Sequence, residues 1–203
     1  MCGIVKKNIL GGFCVIQYFQ ELAQQFTHPV TAIAQCIGFV QVFLGFFVFR
    51  NVSRKTSIGI KSVCDGLAAV HFAMLGQWTG CVVCGINVGR GICFSQRGQR
   101  KWASGLYMPI LFILLTIGGS LLGWTGWESL LPMAGSCLAV IGYWCKDTAK
   151  LRLFNLAGIS LWLVYNVIVM SVSSVFSNVV YITSILLTIL RLARENGKKE
   201  EAA

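Results

Sequence analysis

Apolar residues fall into seven runs of about 20 positions, and short polar segments separate each run from the next. A run of this length crosses the bilayer core as a helix that rises 1.5 Å per residue. The sequence therefore predicts an all-α polytopic membrane protein with seven transmembrane helices. The runs lie at about 30–49, 57–76, 78–96, 105–122, 130–145, 152–170 and 172–190.

Lysine and arginine residues concentrate in every second connection between the runs. The remaining connections, near 76–78, 123–129 and 171–174, carry neither residue. Because cytoplasmic loops hold the excess of Lys and Arg, this pattern places the N-terminus outside and the C-terminus in the cytoplasm. The basic positions are Arg50, Arg54, Lys55, Arg97, Arg100, Lys101, Lys146, Lys150, Arg152, Arg191, Arg194, Lys198 and Lys199.

The composition favours a membrane protein over a soluble one. Hydrophobic residues make up 56% of the 203 residues and charged residues 12%, whereas soluble domains carry roughly 25% charged residues. The formal net charge of +10 lies between apolar runs rather than on a soluble face. We therefore expect the bilayer and its anionic lipid headgroups as partners, and no nucleic acid.

Residues that bind metals or carry catalysis form no recognisable site in the sequence. Cys81-Val82-Val83-Cys84 has the CxxC spacing, but it lies inside an apolar run and no second CxxC follows. A zinc or redox site needs a second ligand pair, so we interpret the nine cysteines as small apolar residues. HExxH, GxSxG and phosphate-loop motifs are missing, and we expect neither enzymatic activity nor a metal or cofactor.

Residues 1–28 form a segment of a different kind. Their apolar positions recur at helical spacing, which predicts a short amphipathic helix on the membrane surface. A cleaved signal peptide is the alternative, because Lys6 and Lys7 precede an apolar stretch. Gly11-Gly12 interrupts this short stretch and favours the surface helix. The apolar positions are Ile9, Phe13, Ile16, Ala23 and Phe26.

The order of features in the first three runs recurs in the last three. Gly38 and Gly45 are seven residues apart and precede an aromatic pair and a basic loop, as do Gly135 and Gly142. This recurrence predicts two parallel three-helix bundles joined by a linker helix, a 3+1+3 plan. The first repeat covers 29–97, the linker helix 98–128, the second repeat 129–192 and a charged tail 193–203.

Asn87 and Asn178 occupy matching helices of the two predicted repeats. An amide finds no water in the hydrocarbon core, so we expect both to face a shared polar cavity near mid-membrane. Trp162 and Tyr165 lie three residues apart on one helix face, where aromatic rings can stack on a solute. The alternatives are interhelical hydrogen bonds for the amides and ordinary core packing for the rings.

Other polar residues also lie inside the apolar runs. His71 has a side chain that titrates near neutral pH and suits a proton relay. Arg90 shares a helix face with Asn87, and it either reaches the cytoplasmic headgroups or attracts an anionic solute. Asp65 and Lys61 have the spacing of a structural ion pair on one helix. The predicted solute-binding set is Asn87, Asn178, Trp162, Tyr165, His71 and Arg90.

Three short motifs follow one another along the chain: His71-Phe72-x-x-Leu75-Gly76, Asn87-x-x-Arg90, and Leu131-Pro132-x-x-Gly135 with Lys146 and Arg152 behind it. In this order they resemble the YgjV-type bacterial inner-membrane proteins over residues 31–195. The 3+1+3 plan and the paired asparagines also resemble the SWEET and PQ-loop sugar transporters. That resemblance implies a sugar-lining role for Asn87, Asn178 and Trp162. Ala68 matches Trp162 in the first repeat but lacks the ring, and the SWEET hinge prolines are not matched.

These features lead us to expect an inner-membrane protein that moves a small polar solute, such as a sugar, by alternating access. The alternative is a non-transporting scaffold or lipid-interacting protein, favoured by the many small residues and the very basic cytoplasmic side. A cavity that holds both asparagines would distinguish a transporter from a scaffold. The sequence leaves a homo-oligomer open.

Overall fold

The structure is a computed structural model that describes residues 20, 27–50, 54–145 and 147–201. Within these residues it contains seven α-helices and no strand. All seven predicted runs are therefore helical, and their ends lie within four residues of the predicted ones, except that the last helix continues from 190 to Glu201. The helices are α1 Pro29–Arg50, α2 Arg54–Met74, α3 Trp78–Ser95, α4 Tyr107–Leu122, α5 Leu130–Trp144, α6 Thr148–Ile168 and α7 Val172–Glu201.

The sequence predicted a surface helix at the beginning of the chain and a charged tail at its end. The predicted surface helix in 1–28 lies outside the described residues, apart from Gln20, Thr27 and His28. At the other end, α7 continues through most of the predicted charged tail to Glu201. The tail is helical because Leu, Ala, Arg, Glu and Lys all have high helix propensity.

The helix ends gather on two opposite faces of the bundle. On one face, Arg97 Nη1 donates to the carbonyl oxygen of Trp144 at 2.7 Å, which joins the ends of α3 and α5. On the other, Thr79 Oγ1 lies 3.0 Å from Ser129 Oγ, which joins their beginnings. We name these the basic face, with the connection 96–106 and the end of α5 at Cys145, and the opposite face, with connections 75–77, 123–129 and 169–171.

Six of the helices pack in a closed cycle. The sequence of neighbours runs from α1 through α2, α3, α5, α6 and α7 back to α1, and α4 packs outside the cycle against α3 and α5. Glycines allow close approach within the cycle. A Cβ added at Gly135 would lie 2.7 Å from the carbonyl oxygen of Gly158, so α5 and α6 meet backbone to backbone.

The distribution of side chains fits a helical membrane protein. Large apolar side chains such as Phe43, Leu114 and Leu153 point outward and are exposed, whereas many polar side chains are buried inside. Two segments, Ala149–Ile168 and Val172–Arg191, are long and apolar enough to cross a membrane by length and composition alone. Shorter apolar stretches occupy Pro29–Gly45 and Tyr107–Leu122.

Candidate functional site

A cavity of about 460 Å³ lies inside the cycle of six helices. Each of the six contributes to its wall, and α4 does not. The wall reaches the basic face at Cys145, Leu151 and Arg152. Toward the opposite face it ends at residues such as Phe72 and Asn166, short of the connections. The cavity is therefore accessible from the basic face and closed at the other end.

Four of the six predicted site residues lie around this cavity. Asn87 and Arg90 project from α3, Trp162 from α6 and Asn178 from α7. The two asparagines thus share one cavity, although 91 positions separate them in the sequence.

The remaining two predicted site residues, His71 and Tyr165, are fully buried and are not part of the cavity wall. They lie behind its closed end, next to Phe72. The Phe72 ring centroid is 5.3 Å from that of His71 and 5.9 Å from those of Trp162 and Tyr165. Phe72 and Trp162 line the closed end of the cavity, and His71 and Tyr165 pack against these two rings on the side away from the cavity.

Ser136 of α5 links the residues around the cavity and was not among the residues predicted from the sequence. Its hydroxyl oxygen accepts hydrogen bonds from Asn87 Nδ2 at 3.2 Å and from Trp162 Nε1 at 3.3 Å. Its carbonyl oxygen lies 3.4 Å from Arg90 Nη1. A serine directly after Gly135 in an apolar helix was the available signal, because small residues mark helix contacts in membranes.

Several buried polar atoms of the cavity wall have no hydrogen-bond partner within the described part of the chain. They belong to helices on different sides of the cavity. Because an unpaired buried amide costs about 1–3 kcal/mol, these atoms are suited to bind a solute or water. They are Gln41 Oε1, Asn87 Oδ1, Asn166 Oδ1, Ser174 Oγ and Asn178 Nδ2.

The cavity wall also carries charge. Lys61 Nζ forms an ion pair with Asp65, which confirms the pair predicted from their spacing, and it lies 5.9 Å from the centre of the Tyr181 ring. Arg90 is only 4% exposed, and its guanidinium carbon is 5.2 Å from the centre of the Tyr143 ring. Arg90 therefore lies inside the bundle, in the wall of the cavity.

A hydrogen-bonded layer closes the cavity toward the opposite face. We define the closed layer as Ala34, Gln35, His71, Ser171 and Ser173. His71 Nδ1 lies 2.7 Å from the carbonyl oxygen of Ala34, and His71 Nε2 lies 2.7 Å from Ser171 Oγ. A carbonyl only accepts, so Nδ1 is the donor, and the Ser171 hydroxyl is the partner of Nε2.

The rest of the closed layer joins α1 to α7. The backbone N–H of Ser173 donates to Gln35 Oε1 at 3.2 Å, and the Ser173 hydroxyl donates to the same atom at 2.9 Å. Gly38 makes this approach possible, because a Cβ at that position would lie 1.9 Å from Ser173 Oγ. The closed layer therefore ties the beginnings of α1 and α7 to the end of α2.

Residues 32–196 match the family model Imp-YgjV, which is described as a bacterial inner membrane protein. No curated protein matches the chain. No solved structure matches it either, so the SWEET-like layout stays a prediction from the sequence.

Proposed function

The chain belongs to the YgjV family of bacterial inner-membrane proteins, and from the cavity inside its helices we infer that it carries a small polar solute across that membrane. A volume of about 460 Å³ falls within the range of roughly 300–1,000 Å³ that is usual for small-molecule sites. A scaffold gains nothing from such a space, since unfilled volume removes packing contacts.

The observation that carries the proposal is the set of unpaired amide atoms around this cavity. Asn87 Oδ1, Asn166 Oδ1 and Asn178 Nδ2 come from three different helices. Polar groups in membrane helices are retained where they bind one another or line a solute path. Their positions on separate helices support the second role, because one solute can bond to several of them at once.

The accessibility of the cavity supports alternating access. The wall reaches the basic face at Arg152, while Phe72 and the closed layer block the other end. A transporter that alternates must close one end while the other is open. We assign this structure to the state open toward the basic face, and the positive-inside rule makes that side cytoplasmic.

Seven membrane crossings and a 3+1+3 plan are part of the proposal. In each of the sets α1–α3 and α5–α7, the middle helix packs against the other two. Exchanging the sets converts the α1–α7 contact into the α5–α3 contact, as a two-fold axis along the membrane normal requires. The charged residues Lys61 and Asp65 make α2 less apolar than a helix surrounded by lipid. They line the cavity rather than facing lipid, so α2 can still cross the membrane.

A flux experiment tests the transport function without a known solute. Purified protein is reconstituted into vesicles loaded with a small-metabolite extract of bacterial cells, and mass spectrometry follows what leaves the vesicles. Ala139→Trp fills the cavity from its α5 wall, whereas Ile141→Trp on the same helix faces outward. We expect faster release of at least one metabolite with the unaltered protein and with Ile141→Trp, but not with Ala139→Trp.

Equal release from all three preparations and from protein-free vesicles would overturn the transport function. It would favour the scaffold instead. Both tryptophan variants are first compared by circular dichroism and thermal unfolding, so that a misfolded Ala139→Trp is recognised before its flux is interpreted.

A further inference from the structure

Arg90 is a buried cation that has no ion-pair partner of its own in the described part of the chain. Its side chain lies in the cavity wall and is only 4% exposed. A guanidinium group has five N–H donors, yet within the described residues Arg90 makes one hydrogen bond, from Nη1 to the carbonyl oxygen of Ser136 at 3.4 Å, beside its contact with the Tyr143 ring. Among the described residues, no carboxylate forms an ion pair with Arg90.

The second cation of the inner cavity provides a comparison. Lys61 is paired with Asp65 on the same helix, so these two charges compensate each other. The four residues Lys61, Asp65, Asn87 and Arg90 also surround a small side void of about 10 Å³, which places them in one cluster. The cluster therefore has a surplus of one positive charge, and that charge belongs to Arg90.

A buried charge without an opposite charge destabilises the protein. An anionic group of the solute would pair with Arg90 and remove this cost. Arginines inside membrane proteins pair with an anion or line a path for one. The guanidinium fork matches a carboxylate or phosphate, because two parallel N–H donors meet two oxygens. Asp65 does not repel such a group strongly, since Lys61 neutralises it at close range.

We propose that the solute is a small organic anion, whose carboxylate or phosphate group binds Arg90 while its polar body bonds to the neighbouring amides. This inference rests on the proposed transport function and names the class of solute. Asn87 lies on the same face of α3 as Arg90, and Asn178 lines the cavity from α7. Arg152 at the basic-face entrance adds a second positive charge on the route inward.

Thermal unfolding with matched pairs of compounds tests the proposal. Each pair has one charged and one neutral member of similar shape: glucuronate with glucose, succinate with succinamide, and glycerol phosphate with glycerol. We expect at least one anion, and not its neutral partner, to raise the unfolding temperature saturably. Arg90→Gln should weaken that binding by about 10- to 100-fold, the effect of losing a charge-assisted hydrogen bond.

Two further variants separate charge from geometry and from fold. Arg90→Lys keeps the charge but loses the fork, so it should retain part of the binding that Arg90→Gln loses. Arg100→Gln removes one positive charge from an exposed site on the basic face, and it should bind the anion as the unaltered protein does. Without ligand, Arg90→Gln should unfold at the same temperature as the unaltered protein or higher, because it removes an unpaired buried charge.

The results distinguish this inference from the transport function. It fails if no anion binds, if the neutral partner binds as tightly, or if Arg90→Gln binds the anion unchanged. If a neutral metabolite is released in the flux experiment and no anion binds, the transport function stands and the inference that the solute is an anion is wrong. If an anion binds at Arg90 but no metabolite is released from the vesicles, the anion site stands and the transport function is wrong. If adding phosphatidylglycerol to neutral-lipid nanodiscs abolishes anion binding, Arg90 holds a lipid headgroup and the soluble anion is wrong.

Discussion

The closed layer and the cavity wall both place polar side chains among apolar helices, but they treat hydrogen bonding differently. In the closed layer, both ring nitrogens of His71 have partners at 2.7 Å, and Gln35 Oε1 accepts two bonds from Ser173. In the cavity wall, Asn87 Oδ1 and Asn178 Nδ2 have no partner within the described residues. Burial is similar, with His71 at 0% and Asn87 at 5% exposure.

The difference separates two uses of polar residues in a membrane protein. Polar groups that satisfy one another hold helices together. Polar groups left unpaired around a space lower stability slightly and are available to a solute. Substitutions in the closed layer should therefore reduce stability, whereas those in the cavity wall should reduce binding and leave stability unchanged or higher.

The largest loss of stability is expected from His71→Ala. It removes a fully buried ring and leaves the Ala34 carbonyl and the Ser171 hydroxyl without their partner. The cost should be roughly 3–5 kcal/mol, the combined effect of a new cavity and lost hydrogen bonds. Thermal unfolding followed by circular dichroism measures it, with the exposed His28→Ala as the control. An unchanged unfolding temperature would show that the closed layer is not structural.

A smaller loss is expected from Gly38→Ala. The added Cβ would lie 1.9 Å from Ser173 Oγ, so α1 and α7 must separate at the closed layer. Overpacking of this kind costs about 1–3 kcal/mol. Gly85→Ala in α3 is the matched control, because no other group lies within 4 Å of its added Cβ. Equal unfolding temperatures for the two variants would contradict the tight α1–α7 contact.

The smallest effect on stability, and of opposite sign, is expected from Asn178→Leu. The change removes an unpaired buried amide and fills similar volume, so the free energy of unfolding should stay constant or rise by about 1 kcal/mol. Binding of the anion that stabilises the unaltered protein should weaken in the same samples. Val179→Leu, at an exposed neighbouring position, is the control. A large drop in the stability of Asn178→Leu would show that Asn178 holds helices together, as the closed layer does, and would contradict the difference between the two regions.

Much of the fold could be predicted because its signals are local. A helix requires only a run of suitable residues, and the fifth predicted run, 130–145, became Leu130–Trp144. The Lys61–Asp65 pair needs a spacing of four along one helix. Arg90 illustrates where this stops, since its spacing places it on the same face of α3 as Asn87, but only the structure shows that this face lines a cavity.

The sequence by itself thus determined the seven helices, the basic face and the presence of amides within apolar helices, because apolar runs and charge act over neighbouring residues. Only the tertiary structure decided which polar residues are paired. His71 meets Ser171 across 100 positions, and Asn87 meets Ser136 across 49. Such contacts depend on which helices are neighbours and how closely glycines let them approach, and neither quantity is contained in the pattern of a single helix.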